Sequence, residues 1–273
     1  MKEKRKCSRN SALPLRWLLA AATSLAGDLV INGSTTVLPV VQKATEASPR
    51  PTPMCTSPFR AAAPGNGVKA LIDGLTNIAM SSRDIKGSEV KLAEQRGVKP
   101  YRTAVAVDAI VPVVNNANTV KDLTQEQLKA VFEGKIRNWK EVGGKDAPIV
   151  VVSRDSSSGT FETWESLVMK GARVTPRALL QTSNGTVVQT VAKNVNAIGY
   201  IGIGYLDNQT KALTLGGKKA TAEAAKTKEW PLSRELYFFT NGAPAGDAKA
   251  FTDFVVSPAG QKIVQETGFV PLK

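Results

Sequence analysis

An α/β fold is predicted by three features of the sequence. Residues 28–44 and residues 149–168 each contain a short apolar segment typical of a buried strand, then a loop of hydroxyl residues, then a helical pattern. The chain has 273 residues, 42% hydrophobic and 22% charged, so it can bury a large core or form two domains. Strand-to-helix loops aim backbone N–H groups and the positive end of the helix dipole at one point. The repeated arrangement therefore also predicts a site for a small oxyanion.

Composition excludes several classes of chemistry. The chain has no histidine, which excludes Ser-His-Asp and Cys-His catalysis and most zinc sites. Its two cysteines, Cys7 and Cys55, are too far apart in sequence for a metal-binding knuckle. The net charge is +13, but the basic residues are spread along the chain, which favours a general attraction of anions over a nucleic-acid interface. We therefore expect no catalytic residue, no metal and no nucleic-acid partner.

The first 26 residues are predicted to be a secretory signal peptide. A basic start precedes an apolar stretch, and Ser24-Leu25-Ala26 places small residues where signal peptidase requires them. Arg16 interrupts the apolar stretch, which is unusual for such a segment. No later segment approaches the roughly 18 consecutive apolar residues of a membrane span. We expect export to the bacterial periplasm.

The first candidate anion-binding loop follows the strand that begins the exported chain. Gly33 is followed by Ser34, Thr35 and Thr36, and then by a helical pattern. These three hydroxyl side chains are short donors at the start of a helix. Two loops of this kind are harder to explain as helix caps than one.

A further candidate loop is Met80-Ser81-Ser82-Arg83-Asp84, after the apolar pair Ile78-Ala79. Asp84 could accept the hydrogen bond of a protonated anion such as hydrogen phosphate, whereas it would repel sulfate, which carries no proton. The alternative is that Arg83 and Asp84 form a solvated surface pair.

The loop around which the chain is organised is Ser153–Thr160. It lies between the apolar segment Ile149–Val152 and a helical pattern that starts near Phe161. Arg154 would supply charge and a two-pronged donor, and Ser158, Gly159 and Thr160 would supply short donors. The alternative is an ordinary serine-rich loop with a helix cap. A hydrolase using Ser156, Ser157 or Ser158 lacks a histidine base, and no Ser-x-x-Lys motif follows.

Several stretches taken together resemble the periplasmic phosphate-binding proteins that feed ABC-type phosphate importers. They occur in order along nearly all of the exported chain: Ile31–Pro39, Gly65–Lys69, Ser81–Lys86, Ala106–Asn115, Leu123–Trp139, Arg154–Thr160, Ala197–Tyr200 and Phe254–Leu272. The resemblance implies a two-lobed, type II periplasmic-binding-protein-like fold that closes on one phosphate ion without catalysis or cofactor. It also implies membrane permease subunits as partners, and we expect a monomer. Binding of another oxyanion such as sulfate or molybdate, or a non-catalytic phosphate sensor, remains the alternative.

Carried over position by position, the resemblance implies both the site and the lobes. The implied phosphate-binding residues are Ser34, Thr35, Thr36, Ser82, Arg83, Asp84, Arg154, Ser158, Gly159 and Thr160. Some members of that family place the acid directly after the serine, where this chain has Arg83. The resemblance therefore implies an acceptor role that is shared or shifted to Asp84. Lobe I is expected to comprise residues 27–107 and 233–273, and lobe II residues 108–232. The crossings near residues 107–110 and near Arg234 would form the hinge. Farther along the chain, residues 248–266 have a helical pattern. Asn184 and Gly185 could face the ligand, but we favour a helix cap for them.

Residues 48–64 depart from the family pattern. They contain five prolines, which are incompatible with the expected helix and central strand, so we expect an irregular segment. We hypothesise a compensated reading-frame slip, because shifted codons across Phe59–Pro64 can encode Ser-Gly-Gly-Gly-Ser. Pro64 would then replace a serine donor. The gene's DNA tests this: codons without G at the third positions of Arg60, Ala61 and Ala62 contradict it.

Overall fold

A computed structural model of the chain describes residues 29–48 and 64–272, without the side chains of residues 64–66. The predicted signal peptide and nearly all of the proline-rich segment lie outside these ranges. The strands in the described ranges are β1 Ile31–Gly33, β2 Ile78–Ser81, β3 Pro100–Asn115, β4 Asp122–Leu123, β5 Val150–Arg154, β6 Leu179–Gln181, β7 Ala197–Gly202, β8 Thr210–Ala212, β9 Thr214–Leu215 and β10 Ser233–Asn241. The α-helices are α1 Leu38–Ala47, α2 Pro64–Ile72, α3 Gly87–Gln95, α4 Gln125–Glu133, α5 Gly159–Trp164, α6 Asn184–Lys193, α7 Ala222–Lys226, α8 Gly246–Val256 and α9 Pro258–Glu266. A π-helical turn, Glu165–Met169, continues α5, and 3₁₀ turns lie at Trp139–Val142 and Ile203–Tyr205.

Strand β3 connects the two halves of the sheet. The strand order is β1-β2-β10-β3-β7-β5-β6, and β8 also pairs with β3. The first part of β3 pairs antiparallel with β10, and its last part pairs antiparallel with β7 and β8. Strand β1 is parallel to β2, and β5 is parallel to both β6 and β7. Within each set the strands end at the same edge of the sheet, so the helices that follow them begin at that edge.

Two groups of buried apolar residues pack on either side of the crossing. One group, here called the lobe II core, comprises buried residues between 109 and 232 together with Val270. The other group consists of two neighbouring clusters, here together called the lobe I core, between residues 29 and 106 and between 236 and 269. The chain thus forms two lobes joined by β3 and β10, because each lobe buries its own apolar side chains.

Two local expectations are corrected. The helical pattern predicted across Ala248–Glu266 is two helices, because Pro258 has no N–H to continue α8. Ser257 separates them, and its hydroxyl oxygen accepts a hydrogen bond from the Gly260 N–H at 3.3 Å. Asn184, which we favoured as a helix cap, is the first residue of α6, and Ser183 provides the cap.

None of the helices within residues 29–48 and 64–272 combines the length and apolar character needed to cross a bilayer. Over those same residues, no cluster of three or more His, Cys, Asp or Glu residues has a metal-binding arrangement.

Candidate functional site

The loop after β1 is fixed against the end of β2. Gly33 has φ +131°, and a Cβ there would lie 2.2 Å from the carbonyl oxygen of Met80, so a side chain is not accommodated. The N–H of Ser34 donates to the same carbonyl oxygen at 3.0 Å. This close approach brings Ser34, Thr35 and Thr36, all buried, to the strand end that leads into Ser82.

Hydroxyl side chains from the two lobes meet at this point. The Oγ1 atoms of Thr36, before α1, and Thr160, in α5, are 3.0 Å apart. Asn184, at the start of α6, donates from Nδ2 to Thr36 Oγ1 at 3.0 Å. All three residues are buried. The N-terminal ends of three helices therefore converge, and each contributes positive potential that favours an anion.

Arg154 contributes a buried positive charge at the end of β5. Its Nε donates to the carbonyl oxygen of Gln181 and its Nη2 to that of Thr182, both at 3.0 Å. Its Nη1 is buried and has no hydrogen-bond partner in the part of the chain that the structure describes. Burial lowers the pKa of Arg154, and the charge of Asp155 opposes this shift. Because an arginine remains protonated at neutral pH, a buried cationic donor is left without a partner.

Ser82 and Ser158 have different hydrogen-bonding states. The hydroxyl oxygen of Ser158 accepts from the N–H groups of Thr160 and Phe161, at 3.2 and 3.3 Å, and thereby caps α5. Its own proton remains available as a donor. Ser82 Oγ is buried and, over the described ranges, has no partner. Buried polar atoms without partners are costly, so such atoms beside an anion-binding arrangement indicate a place for a ligand.

A buried ion pair on β3 and β10 contacts these hydroxyl residues. Arg234 Nη2 lies 2.7 Å from Asp108 Oδ2, and the two residues are cross-strand neighbours in β10 and β3. Arg234 also donates to the Gly159 carbonyl oxygen at 3.0 Å and to Thr160 Oγ1 at 2.9 Å. Burial raises the pKa of Asp108, whereas the charge of Arg234 and the N–H of Ile203 oppose the rise. The pair therefore positions the start of α5 from the crossing between the lobes.

Eight of the ten predicted site residues are buried in these loops, whereas Arg83 and Asp84 are placed differently. Asp84 is half exposed and pairs with Arg102 at the surface, so the alternative of a surface pair between Arg83 and Asp84 is wrong as well. The guanidinium of Arg83 pairs with Glu89 and Glu162. The expectation that Asp84 faces the anion is therefore corrected: the turn after Ser82 directs its carboxylate to solvent. Pro64 as a missing donor stays a prediction, because its side chain lies outside the described residues.

Sequence reasoning missed Asp108 and Arg234 as contributors to the site, and it favoured a helix cap over a ligand contact for Asn184. Asp108 interrupts an otherwise apolar strand, and a buried carboxylate requires a partner, so its position was a usable signal. For Arg234, the sequence indicates only a crossing between the lobes. No pattern in the sequence connects Asn184 with Thr36, which is 148 positions away in the chain.

Comparison with known proteins agrees with this geometry. A family model of the PBP superfamily domain matches residues 20–259. The phosphate-binding protein PstS of Bacillus subtilis is 33% identical over 249 residues, covering 90% of this chain and 81% of that protein. The chain belongs to the PstS family of phosphate-binding proteins, within the PBP superfamily.

Solved structures of PstS-like proteins share the fold. A Clostridium perfringens protein described as a phosphate ABC transporter substrate-binding protein, solved with bound phosphate, has a TM-score of 0.82 and 34% identity, and the match covers 90% of this chain and all of that chain. An ABC-type phosphate transport receptor from Vibrio cholerae has a TM-score of 0.71 and 32% identity, with 89% of this chain and 99% of that chain covered. The predicted two-lobed periplasmic-binding-protein fold is confirmed.

Proposed function

We propose that the protein binds one inorganic phosphate ion between its lobes and delivers it to the membrane permease subunits of an ABC-type importer. The observation that carries the proposal is the buried Arg154 guanidinium at the end of β5, whose Nη1 is without a partner among the described residues. Arg154 begins the loop that leads to Ser158, the cap of α5. A multiply charged oxyanion satisfies such a donor, and the adjacent helix ends add to the attraction. Membership of the PstS family supports phosphate as that anion.

The proposed ligand shell is Ser34, Thr35, Thr36, Ser82, Arg154, Ser158, Gly159 and Thr160. These residues supply hydroxyl, amide and guanidinium donors from both lobes, and no step of bond making or breaking is proposed for them. We propose that lobe I comprises residues 27–107 and 233–273 and lobe II residues 108–232. The two separate apolar cores support these boundaries.

We further propose that the mature protein is a periplasmic monomer, exported by residues 1–26 as a signal peptide. The family supports this location, since its members serve ABC-type import. The basic start and apolar stretch of the sequence support the export signal.

Sulfate is the second candidate ligand, and the position of Asp84 is the observation that retains it. The half-exposed Asp84 carboxylate pairs with Arg102, so it does not repel an unprotonated anion in the site. The preference for phosphate therefore depends on other groups. Tighter binding of sulfate than of phosphate would reassign the ligand.

Isothermal titration calorimetry of the mature protein with phosphate and with sulfate tests the proposal. Arg154→Ala should weaken phosphate binding by about a hundredfold or more, because a charge-assisted hydrogen bond in a buried site contributes roughly 1.5–3 kcal/mol and the site also loses its cation. Asp84→Ala is the control and should leave the Kd within about twofold. Phosphate binding unaffected by Arg154→Ala overturns the site.

A further inference from the structure

A cluster of charged residues connects the lobes beside the proposed phosphate site. Glu162 lies in α5, two residues after Thr160, and α5 leads directly into Trp164 of the lobe II core. Its Oε2 is 2.6 Å from Arg83 Nε, and its Oε1 is 3.1 Å from Lys86 Nζ. Arg83 and Lys86 follow β2, which packs in the lobe I core. Both carboxylate oxygens of Glu162, in lobe II, therefore contact cations of lobe I.

Arg83 is held in place on its own lobe. Its Nη1 and Nη2 donate to the two carboxylate oxygens of Glu89, each at 2.8 Å, in a bidentate pair. Glu89 also accepts from the backbone N–H of Lys86 at 2.9 Å. Burial raises the pKa of Glu89, but these hydrogen bonds outweigh burial and hold that pKa below its usual value. The remaining edge of the Arg83 guanidinium, at Nε, contacts Glu162.

The burial of this cluster distinguishes it from ordinary surface ion pairs. The side chains of Arg83, Glu162 and Glu89 are 8%, 15% and 20% exposed. Exposed single pairs contribute little, whereas bidentate and networked pairs shielded from solvent contribute measurably. When the lobes separate, Arg83 keeps Glu89, but Glu162 loses both of its cations in the cluster.

We propose that Glu162, Arg83 and Lys86 form an ionic latch that holds the lobes closed over bound phosphate and sets the rate of phosphate release. The proposal rests on the proposed function, since it requires an ion enclosed between the lobes. Arg83 is then a positioning residue, because its guanidinium is engaged by Glu89 and Glu162. The latch lies one residue beyond Ser82 and two beyond Thr160, so closing it brings both predicted loops together.

The latch should act on dissociation more than on association. The ion enters before the lobes close, so the latch forms after the encounter and resists opening. Glu162→Gln keeps the shape of the side chain and removes its charge. We expect it to accelerate phosphate release roughly tenfold, with the association rate changed by less than about threefold. Lys86→Gln, at a half-exposed position, should accelerate release by about threefold.

Release is measured by loading the purified protein with radiolabelled phosphate and following loss of label after dilution into excess unlabelled phosphate. The matched control is Glu266→Gln, which removes the same charge from an ion pair within lobe I, Lys43–Glu266, at 2.7 Å. Its release rate should equal that of the wild type.

The outcomes separate the two proposals. If the wild-type protein binds phosphate and both Glu162→Gln and Lys86→Gln release it at the wild-type rate, the latch is wrong and the proposed function stands. Equal acceleration by Glu266→Gln also overturns it, since the effect would then follow net charge alone. Absence of phosphate binding by the wild-type protein overturns the proposed function, and the latch with it.

Discussion

Asp108 and Arg234 show how a single buried pair supports the site without being part of the predicted ligand shell. Both side chains are almost completely buried, and Arg234 reaches across to Gly159 and Thr160 of the other lobe. The Ile203 N–H donates to Asp108 Oδ1 at 3.0 Å, so each carboxylate oxygen has a partner. A fully hydrogen-bonded buried pair is costly to break at one end, because the remaining charge stays buried.

Asp108→Asn should therefore lower the free energy of unfolding by about 3–5 kcal/mol, since Arg234 is left without a counter-charge. Urea denaturation followed by circular dichroism measures this. Asp84→Asn is the matched control, because it breaks a half-exposed pair and should cost no more than about 1 kcal/mol. Equal costs for the two variants would show that the buried pair is not important for stability.

At the scale of single residues, the residue types of the candidate site could be predicted from the sequence, but the directions of their side chains could not. Gly33, the hydroxyls after it, and Arg154 could be assigned from sequence because they occur where a strand ends and a helix begins. The opposite directions of Arg83 and Asp84 could not, since they depend on Glu162 of α5 and Arg102 of β3, which only the folded chain brings near. The family resemblance indicated which loop to consider, but it did not give the orientation of each side chain.

At the scale of elements, the helix ends are the functional parts. Ser158 caps α5 by accepting two backbone N–H groups, and Thr124 caps α4 by accepting the N–H of Gln127 at 3.1 Å. The two caps do the same structural work, but only the first lies in the proposed site. Because none of the predicted ligand residues lies in α4, it provides a comparison for α5.

Ser158→Ala and Thr124→Ala should each lower the free energy of unfolding by about 1 kcal/mol, the typical cost of losing a helix cap. Only Ser158→Ala should also weaken phosphate binding, by roughly tenfold, because it removes a hydroxyl donor to the anion. Denaturation and calorimetry on both variants separate the two effects. If Ser158→Ala changed stability alone, Ser158 would be a cap and not a ligand.

Element boundaries were predicted where the sequence carries a local signal. The strand–loop–helix pattern around residues 149–168 corresponds to β5 and α5, since an apolar segment and a capping serine are both local features. The division of the last helical pattern into α8 and α9 was not predicted, although Pro258 marks it. The pattern of apolar residues continues on both sides of the break, and this continuity concealed it.

At the scale of the whole molecule, β3 and β10 carry the connection between the lobes. β3 contributes residues to both apolar cores, from Val105 and Ala106 in the lobe I core to Val113 in the lobe II core. Such a two-strand crossing permits the lobes to move as units, and a ligand favours the closed arrangement only by binding it more tightly. The order of strands in the sheet was not predictable from the sequence, because it depends on pairings between distant segments.

Phosphate should therefore stabilise the whole chain against unfolding. At a free concentration about a thousand times the Kd, linkage predicts about 4 kcal/mol of added stability, seen as a rise in Tm by differential scanning calorimetry. Arg154→Ala, with a Kd about a hundredfold higher, should gain only about 1.4 kcal/mol at the same phosphate concentration, and sodium chloride of equal ionic strength should not reproduce the effect. A rise of equal size in Arg154→Ala would place the stabilising ion elsewhere.

The central claim is that phosphate is held between the lobes by Arg154 and the hydroxyl loops. A crystal structure of the protein with phosphate tests it most directly. We predict phosphate oxygens within hydrogen-bond distance of Arg154 Nη1, Ser82 Oγ and Ser158 Oγ, with the carboxylate of Glu162 still against Arg83. Phosphate bound at another place, with Arg154 Nη1 not in contact with it, would contradict the account.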